Sequence, residues 1–180
     1  MYYKKIEGER VYLSPMCIED AEKYVKWLND FKVTDGINGS RNITTLESER
    51  KWIEENSKTS NYNFAIVKKE NDELIGNCSF HDLDKLYGNA TIGIFIGEEE
   101  NRNKGYGTEA LKLLISYGFD YLNLNNIMLS VYSFNEGAIS CYKKVGFKEI
   151  GRRRCAIIKK NKRYDIIYMD MIREEYYKEW

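Results

Sequence analysis

The sequence predicts an α/β fold in which one mixed sheet of about seven strands is flanked by about four helices. Three observations carry that expectation. The strand-like segments of the first half are joined by short links, which means antiparallel neighbours. One apolar strand, Ala90 to Ile96, leads into a long helical pattern and then a second apolar strand, Asn126 to Tyr132, and such a crossover implies parallel pairing. At 180 residues the chain can build one substantial core but not two comfortable ones, so 1–180 is expected to form a single domain.

Taken in order, Arg10 to Ser14 reads as the first strand, with Val11 and Leu13 alternating inward. Glu19 to Asn29 reads as a helix, because Ala21, Tyr24, Val25 and Leu28 recur at helical spacing. A Gly/Asn/Ser-rich link, Asp35 to Asn42, leads to Thr44-x-x-Glu47, a capping box opening a helix that carries Trp52 and Ile53. Tyr62 to Lys68 and Glu73 to Asp82 are strands around the turn Glu70-Asn71-Asp72. Leu83 to Asn89, holding Gly88, returns the chain to the strand Ala90 to Ile96. The long helix, Gly107 to Leu122, places Ala110, Leu111, Leu114, Ile115, Gly118 and Phe119 on one side. After the strand Asn126 to Tyr132, Asn135 caps a short helix that Gly146 ends in a left-handed conformation. Phe147 to Lys159 and Arg163 to Met171 then form a hairpin around Lys160-Asn161-Lys162.

Composition narrows the function. Lys and Arg total 28 and Asp and Glu total 28, so no nucleic-acid or membrane partner is expected. No apolar run approaches the roughly 20 residues of a membrane span, and the N-terminus lacks a signal-peptide core. Cys17, Cys78, Cys141 and Cys155 are scattered with no Cys-x-x-Cys pair, which reads as reduced, mostly buried thiols in a cytoplasmic protein. With one histidine, His81, no metal site is expected.

The most informative stretch is Arg102-Asn103-Lys104-Gly105-Tyr106-Gly107-Thr108, which follows an apolar strand and opens a helix. Glycines two apart let the backbone turn tightly and approach a ligand. The first N–H groups of a helix have no partner within it, so such a turn is an anion site and phosphate is its usual guest. A P-loop is excluded, because no Gly-x-x-x-x-Gly-Lys run exists. A dinucleotide fingerprint matches the glycine spacing through Ala110, but the acid it needs about 20 residues later is missing from Asn123 to Ile127.

A third reading is a resemblance. Arg102-x-x-Gly105-x-Gly107 resembles the acyl-CoA pyrophosphate loop of the GNAT N-acetyltransferases, and Asn135-Glu-Gly-Ala138-Ile-Ser-Cys-Tyr142-Lys-Lys-Val-Gly146-Phe147 resembles that family's second signature. The start, Gly8-Glu-Arg-Val11-Tyr-Leu13-Ser-Pro15 with Asp20 and Trp27, resembles the branch that acetylates protein N-termini such as those of ribosomal proteins. The resemblance covers nearly the whole chain. It implies a GNAT-like sheet with an antiparallel N-terminal part and a splayed parallel central pair, and acetyl-CoA as the donor. It also implies backbone pairing of pantetheine with Ile94, Phe95 and Ile96, and a pyrophosphate held by Arg102, Lys104 and the amides from Asn103 to Thr108, Tyr106 and Gly107 included. Asn135 would hydrogen-bond pantetheine or its backbone neighbours, and Tyr142 would be the catalytic acid.

Each role has a plainer structural reading. Ile94 to Ile96 suit a buried strand, the loop suits a glycine-capped helix start, and Ala138, Tyr142 and Val145 suit a packed helix face. Asn135 is sufficiently explained as a cap. His81, Asp82 and Glu98 lie near strand ends, and none is assigned as a base. Cys141, with no histidine partner in view, is expected to be buried. The function expected is acetyl transfer to a primary amine, either a protein N-terminus or a small molecule such as a polyamine. A catalytically silent acyl-CoA sensor is the alternative, the acceptor stays open, and a homodimer is left open.

Overall fold

The computed structural model describes residues 1–37, 41–58 and 62–179. Its elements are β1 (Ile6–Glu7), β2 (Val11–Pro15), α1 (Ala21–Leu28), α2 (Phe31–Thr34), α3 (Leu46–Ser57), β3 (Asn63–Lys68), β4 (Leu74–Asp84) and β5 (Asn89–Ile96). There follow α4 (Tyr106–Ser116), β6 (Asn126–Tyr132), α5 (Glu136–Val145), β7 (Lys148–Lys159), β8 (Lys162–Ile172) and α6 (Arg173–Glu179). The strands are hydrogen-bonded in the order β1-β2-β3-β4-β5-β6-β8-β7. The α/β class with a parallel pair, β5 with β6, agrees with the sequence expectation. The counts, eight strands and six α-helices among the described residues, exceed it. The additions are β1, two residues long, α2, four residues long, and α6, whose Arg-Glu-Glu-Tyr-Tyr-Lys-Glu run has no clear apolar period. Two compact units divide the chain, residues 1–80 with 94–114 and residues 81–93 with 115–180.

In the first unit, antiparallel ladders join β1 to β2, β2 to β3 and β3 to β4. Tyr12, Ala65, Val67 and Leu74 pack with Ala21, Tyr24 and Trp27 of α1 and Ile53 of α3. Alternate strand residues point to opposite faces, so Val11, Leu13, Ile66 and Ile75 form a separate fully buried set. The helical face of α1 is turned from the expectation: Trp27 is 2% exposed, whereas Val25 and Leu28 are only half-buried. An indole three residues after Tyr24 removes more apolar surface from water than Val25 can, and Trp27 meets the Tyr24 ring edge-on at 5.6 Å between centroids. The capping box of α3 lies one residue later than Thr44–Glu47. Thr45 Oγ1 accepts from Ser48 N at 3.1 Å, and Ser48 Oγ accepts from Thr45 N at 3.0 Å. Trp52, expected on that helix, is 41% exposed. Part of the expected link Asp35 to Asn42, residues 38–40, lies outside the described residues.

In the second unit, β6 and β7 pair antiparallel with β8, and β5 pairs parallel with β6 over Asn89–Thr91 and Asn126–Met128. The expected inner face of the long helix, 110–119, is divided between the units at 114/115, and all six of its residues are buried. The helix itself changes pitch. After α4, residues Tyr117–Tyr121 form a π turn, closed by Leu122 N donating to Tyr117 O at 3.1 Å. Arg173 then satisfies loose carbonyls at that end, donating through Nη1 to Phe119 O at 2.9 Å and Leu124 O at 3.0 Å. Asn135 caps α5 through Ala138 N, and Gly146 ends it with φ +107°, as expected. The β7–β8 turn has two residues, Lys160 and Asn161, both with positive φ, the pairing that suits a tight hairpin. Three of the four cysteines depart from the buried-thiol expectation: Cys78 is buried, Cys17 and Cys141 are half-buried and Cys155 is exposed. Scattered position in a sequence carries no information about strand edges, where Cys155 sits.

Gly97, directly after β5, shows the tightest packing around Trp27. A Cβ there would stand 2.0 Å from indole Cε2 and 2.4 Å from Nε1. The indole is enclosed and cannot yield, so Gly97→Ala should lower the unfolding free energy by about 1–3 kcal/mol in urea titration. A midpoint and slope equal to wild type would show that Trp27 has room to move.

Candidate functional site

The residues singled out by sequence fall into two groups, one in each unit. The first unit holds Ile94–Ile96 and the loop 102–108, and the second holds Asn135 and Tyr142.

Along β5, burial changes where the ladder to β6 stops. Ala90 and Ile92 are 4% and 5% exposed, whereas Ile94, Phe95 and Ile96 are half-buried. The buried-strand reading therefore holds for the first half of β5 but not for its last three residues. Phe95 directs its ring at Trp27, with centroids 6.0 Å apart.

The Arg102 guanidinium is engaged by main-chain carbonyls. Its Nε donates to Ile96 O at 3.1 Å, Nη2 to Gly97 O at 2.7 Å and Nη1 to Lys32 O at 3.0 Å. A side chain spent on three carbonyls fixes the end of β5 and the neighbouring α2. Lys104 is exposed at the loop tip.

The loop's unpaired donors are backbone N–H groups. Asn103 has φ +58° and Gly105 φ +84°, so left-handed residues alternate with others, the pattern that turns successive N–H groups into a concave nest. Among the described residues, the N–H groups of Asn103, Lys104, Gly105, Tyr106 and Gly107 donate to no backbone carbonyl. Gly107 leaves the floor open, because a Cβ there would meet only Ile96 Cγ1, at 3.6 Å. Thr108 lies in the first turn of α4, half-buried. The Tyr106 ring is not in the nest: Arg10 Cζ lies 5.0 Å from its centroid and Lys68 Nζ 5.6 Å.

Sequence reading missed Arg10 and Glu109 altogether. Glu109 Oε1 accepts from Arg10 N at 2.7 Å and Val11 N at 3.1 Å, and Oε2 accepts from Arg10 Nε at 3.2 Å. Burial opposes ionisation of Glu109, but the two backbone donors and Arg10 outweigh it and hold its pKa below the ordinary carboxylate value. Arg10 Nη1 donates onward to Lys104 O at 3.0 Å, inside the loop.

In the second unit, Tyr142 is 9% exposed and its ring meets Phe147 at 6.1 Å between centroids. Burial, with a smaller effect from the adjacent Cys141 sulfur, pushes the phenol up to about 12. Its hydroxyl has no hydrogen-bond partner among the described residues. Asn135 Oδ1 is engaged as the cap of α5, at 3.2 Å from Ala138 N. Of the polar groups near strand ends, His81 and Asp82 face solvent, while Glu98 keeps one carboxylate oxygen buried and 3.9 Å separates its other oxygen from Lys26 Nζ. Among the described residues no cluster of three or more His, Cys, Asp or Glu is placed to hold a metal. Among the described residues no helix is long and apolar enough to cross a membrane.

The sequence profile of the acetyltransferase (GNAT) domain matches residues 10–148. The chain belongs to the GNAT acetyltransferases. It is 32% identical over 171 residues to the uncharacterized N-acetyltransferase p20 of Bacillus licheniformis, spanning 93% of this chain and 96% of that one. It is 25% identical to the putative ribosomal N-acetyltransferase YdaF of Bacillus subtilis, over 91% of this chain and 86% of the relative. Its fold is that of a GNAT-family acetyltransferase from Bacillus anthracis (TM-score 0.81, 24% identity, 97% of this chain and 99% of that one). A spermidine N-acetyltransferase from Vibrio cholerae, solved with CoA and spermine, superposes with a TM-score of 0.83 at 18% identity, over 94% of this chain and 99% of that one. This GNAT protein is thus an acyltransferase that uses acetyl-CoA, and the unspent amides at residues 103–107 fit a phosphate-bearing cosubstrate.

The two loop glycines should separate folding from binding. Gly105→Ala forces a side chain into a left-handed conformation and against Arg10 Nη2 at 2.8 Å, so it should cost about 1–2 kcal/mol of stability. Gly107→Ala should melt no lower than wild type yet bind acetyl-CoA more weakly, since its methyl group stands in the nest. Thermal unfolding and calorimetry on the pair check this; undiminished affinity in Gly107→Ala would remove the nest as the binding surface.

Proposed function

We propose that the protein, with 1–180 acting as one cytoplasmic N-acetyltransferase domain, transfers acetyl directly from acetyl-CoA to a primary amine. Tyr142 is the proton donor in this reading, and Ile94–Ile96, the loop 102–108 and Asn135 serve the cosubstrate. The observation that carries it is the uncommitted hydroxyl of Tyr142. Tyr2 donates to Asp20 at 2.7 Å, Tyr12 to Asp72 at 2.7 Å and Tyr177 to Asp120 at 2.8 Å, whereas another unengaged phenol, Tyr24, is 1% exposed in the core beside Trp27. An O–H that no protein group engages is available to protonate a leaving sulfur.

Acetyl-CoA supplies an activated thioester. The amine nitrogen forms the new bond to the acyl carbon, the carbon–sulfur bond breaks, and the amine loses its proton to water. Tyr142 meets the departing sulfur with its O–H. Burial that raises a phenol also raises a thiol, as the fully buried Cys78 of this chain illustrates. Tyr142 recovers the proton from solvent afterwards. With its pKa at about 12, Tyr142 remains protonated through neutral pH.

Two acceptors have support from relatives. The name of YdaF points to a protein N-terminus, and the spermidine enzyme to a polyamine. A thiol-release assay against N-terminal peptides, polyamines, amino acids and aminoglycosides tests both. Tyr142→Phe should lower turnover on the best acceptor about 10²-fold while acetyl-CoA affinity stays within about twofold. A rate equal to wild type would take Tyr142 out of the mechanism, and no turnover with any amine would favour an acyl-CoA sensor.

A further inference from the structure

The loop amides can bind an anion only if they point at it, and the left-handed Asn103 and Gly105 leave the Lys104–Gly105 peptide between them to be held from outside the loop. A trans peptide carries its C=O and N–H on opposite sides. No peptide bond among the described residues is cis. Whatever holds the Lys104 carbonyl therefore aims the Gly105 N–H the other way. Arg10 Nη1 holds that carbonyl, at 3.0 Å.

Arg10 is itself fixed on three sides. Its Nε is bound to Glu109 Oε2 at 3.2 Å, its main-chain N–H to Glu109 Oε1 at 2.7 Å, and its guanidinium lies over the Tyr106 ring at 5.0 Å. Glu109 stands on the first turn of α4, so the helix that presents the loop also anchors the side chain that orients it. The pair is partly open to solvent, with side chains 48% and 17% exposed, and as an ion pair alone it adds little to stability.

We propose that Arg10, anchored by Glu109, is a positioning residue for the phosphates of acetyl-CoA, acting through the Lys104–Gly105 peptide. This rests on the reading of residues 103–108 as the phosphate nest. Without Arg10 the peptide is free to rotate, and one nest donor is no longer held toward the ligand. A charge-assisted hydrogen bond of this kind corresponds to about 10- to 100-fold in affinity.

The test measures acetyl-CoA and inorganic pyrophosphate binding by calorimetry in wild type, Arg10→Gln, Glu109→Gln and the double variant. Each single variant should bind both probes about 10-fold or more weakly. The double variant should be no weaker than the worse single, because both residues serve one peptide. The KM for the amine and the turnover at saturating acetyl-CoA should stay near wild type, a split that general loosening of the fold would not produce. Arg10→Lys keeps a cation beside Glu109 but lacks the planar fork that spans from Glu109 to Lys104 O. It should also lose affinity, with an unchanged circular dichroism spectrum. Wild-type affinity in Arg10→Lys and Glu109→Gln, with wild type itself binding acetyl-CoA, would overturn the positioning role alone. Failure of wild type to bind either probe would overturn the phosphate-nest reading along with it.

Discussion

The loop 102–108, proposed to hold the phosphates, depends on where β5 is made to stop, and carbonyls set that point. Arg102 gathers the oxygens of Ile96, Gly97 and Lys32 on one planar fork, and Gly97 lies flat against the Trp27 indole. Gly97 N in turn donates to Ile75 O at 2.9 Å, which ties the same point to β4. Few other side chains could do this. A guanidinium offers five donors in a fixed geometry and no acceptor, so it can satisfy several oxygens while leaving the N–H groups beyond it untouched. The amides that follow are then free for an anion.

Two arginines divide the work in a way that charge counting does not suggest. Neither needs to touch a phosphate to matter. Arg102 fixes where the loop begins, and Arg10 fixes how one of its peptides is turned. The positive character of the nest then comes mainly from oriented main-chain dipoles, which are in place before a ligand arrives. This fits a chain whose charges balance overall. Selection by geometry suits a cosubstrate that must be released as CoA after each turnover.

Much of this was legible in the sequence because it is local. The glycine spacing, the Asn135 cap, the left-handed Gly146 and the buried face of 110–119 all follow from periodicity or from residue-specific backbone preferences. What was not legible is what long-range contact decides. The partner of Lys104 O lies 94 positions earlier, and no spacing rule reaches that far. Thr44 and Thr45 are chemically equivalent cap candidates, and the register of α3 chooses between them. Trp27 displaced Val25 from the buried face of α1 because Gly97, seventy positions later, leaves space for an indole. The uncommitted O–H of Tyr142 is likewise a property of its surroundings: the sequence places the residue on a helix face without saying whether anything meets its hydroxyl.

The terminal strand β7 has a consequence for life in a crowded solution. It is twelve residues long, largely exposed and last in the sheet order, which is the geometry that invites another chain to add itself. Its ladder to β8 slips twice, between Glu149 and Gly151 and between Arg153 and Ile157, and Cys155 sits in the second slip with φ +51°. Arg152, Arg153 and Arg154 crowd the middle. An extended segment approaching this edge would find hydrogen-bonding groups out of step and a row of positive charge, so this long exposed edge is a poor template for runaway polymerisation.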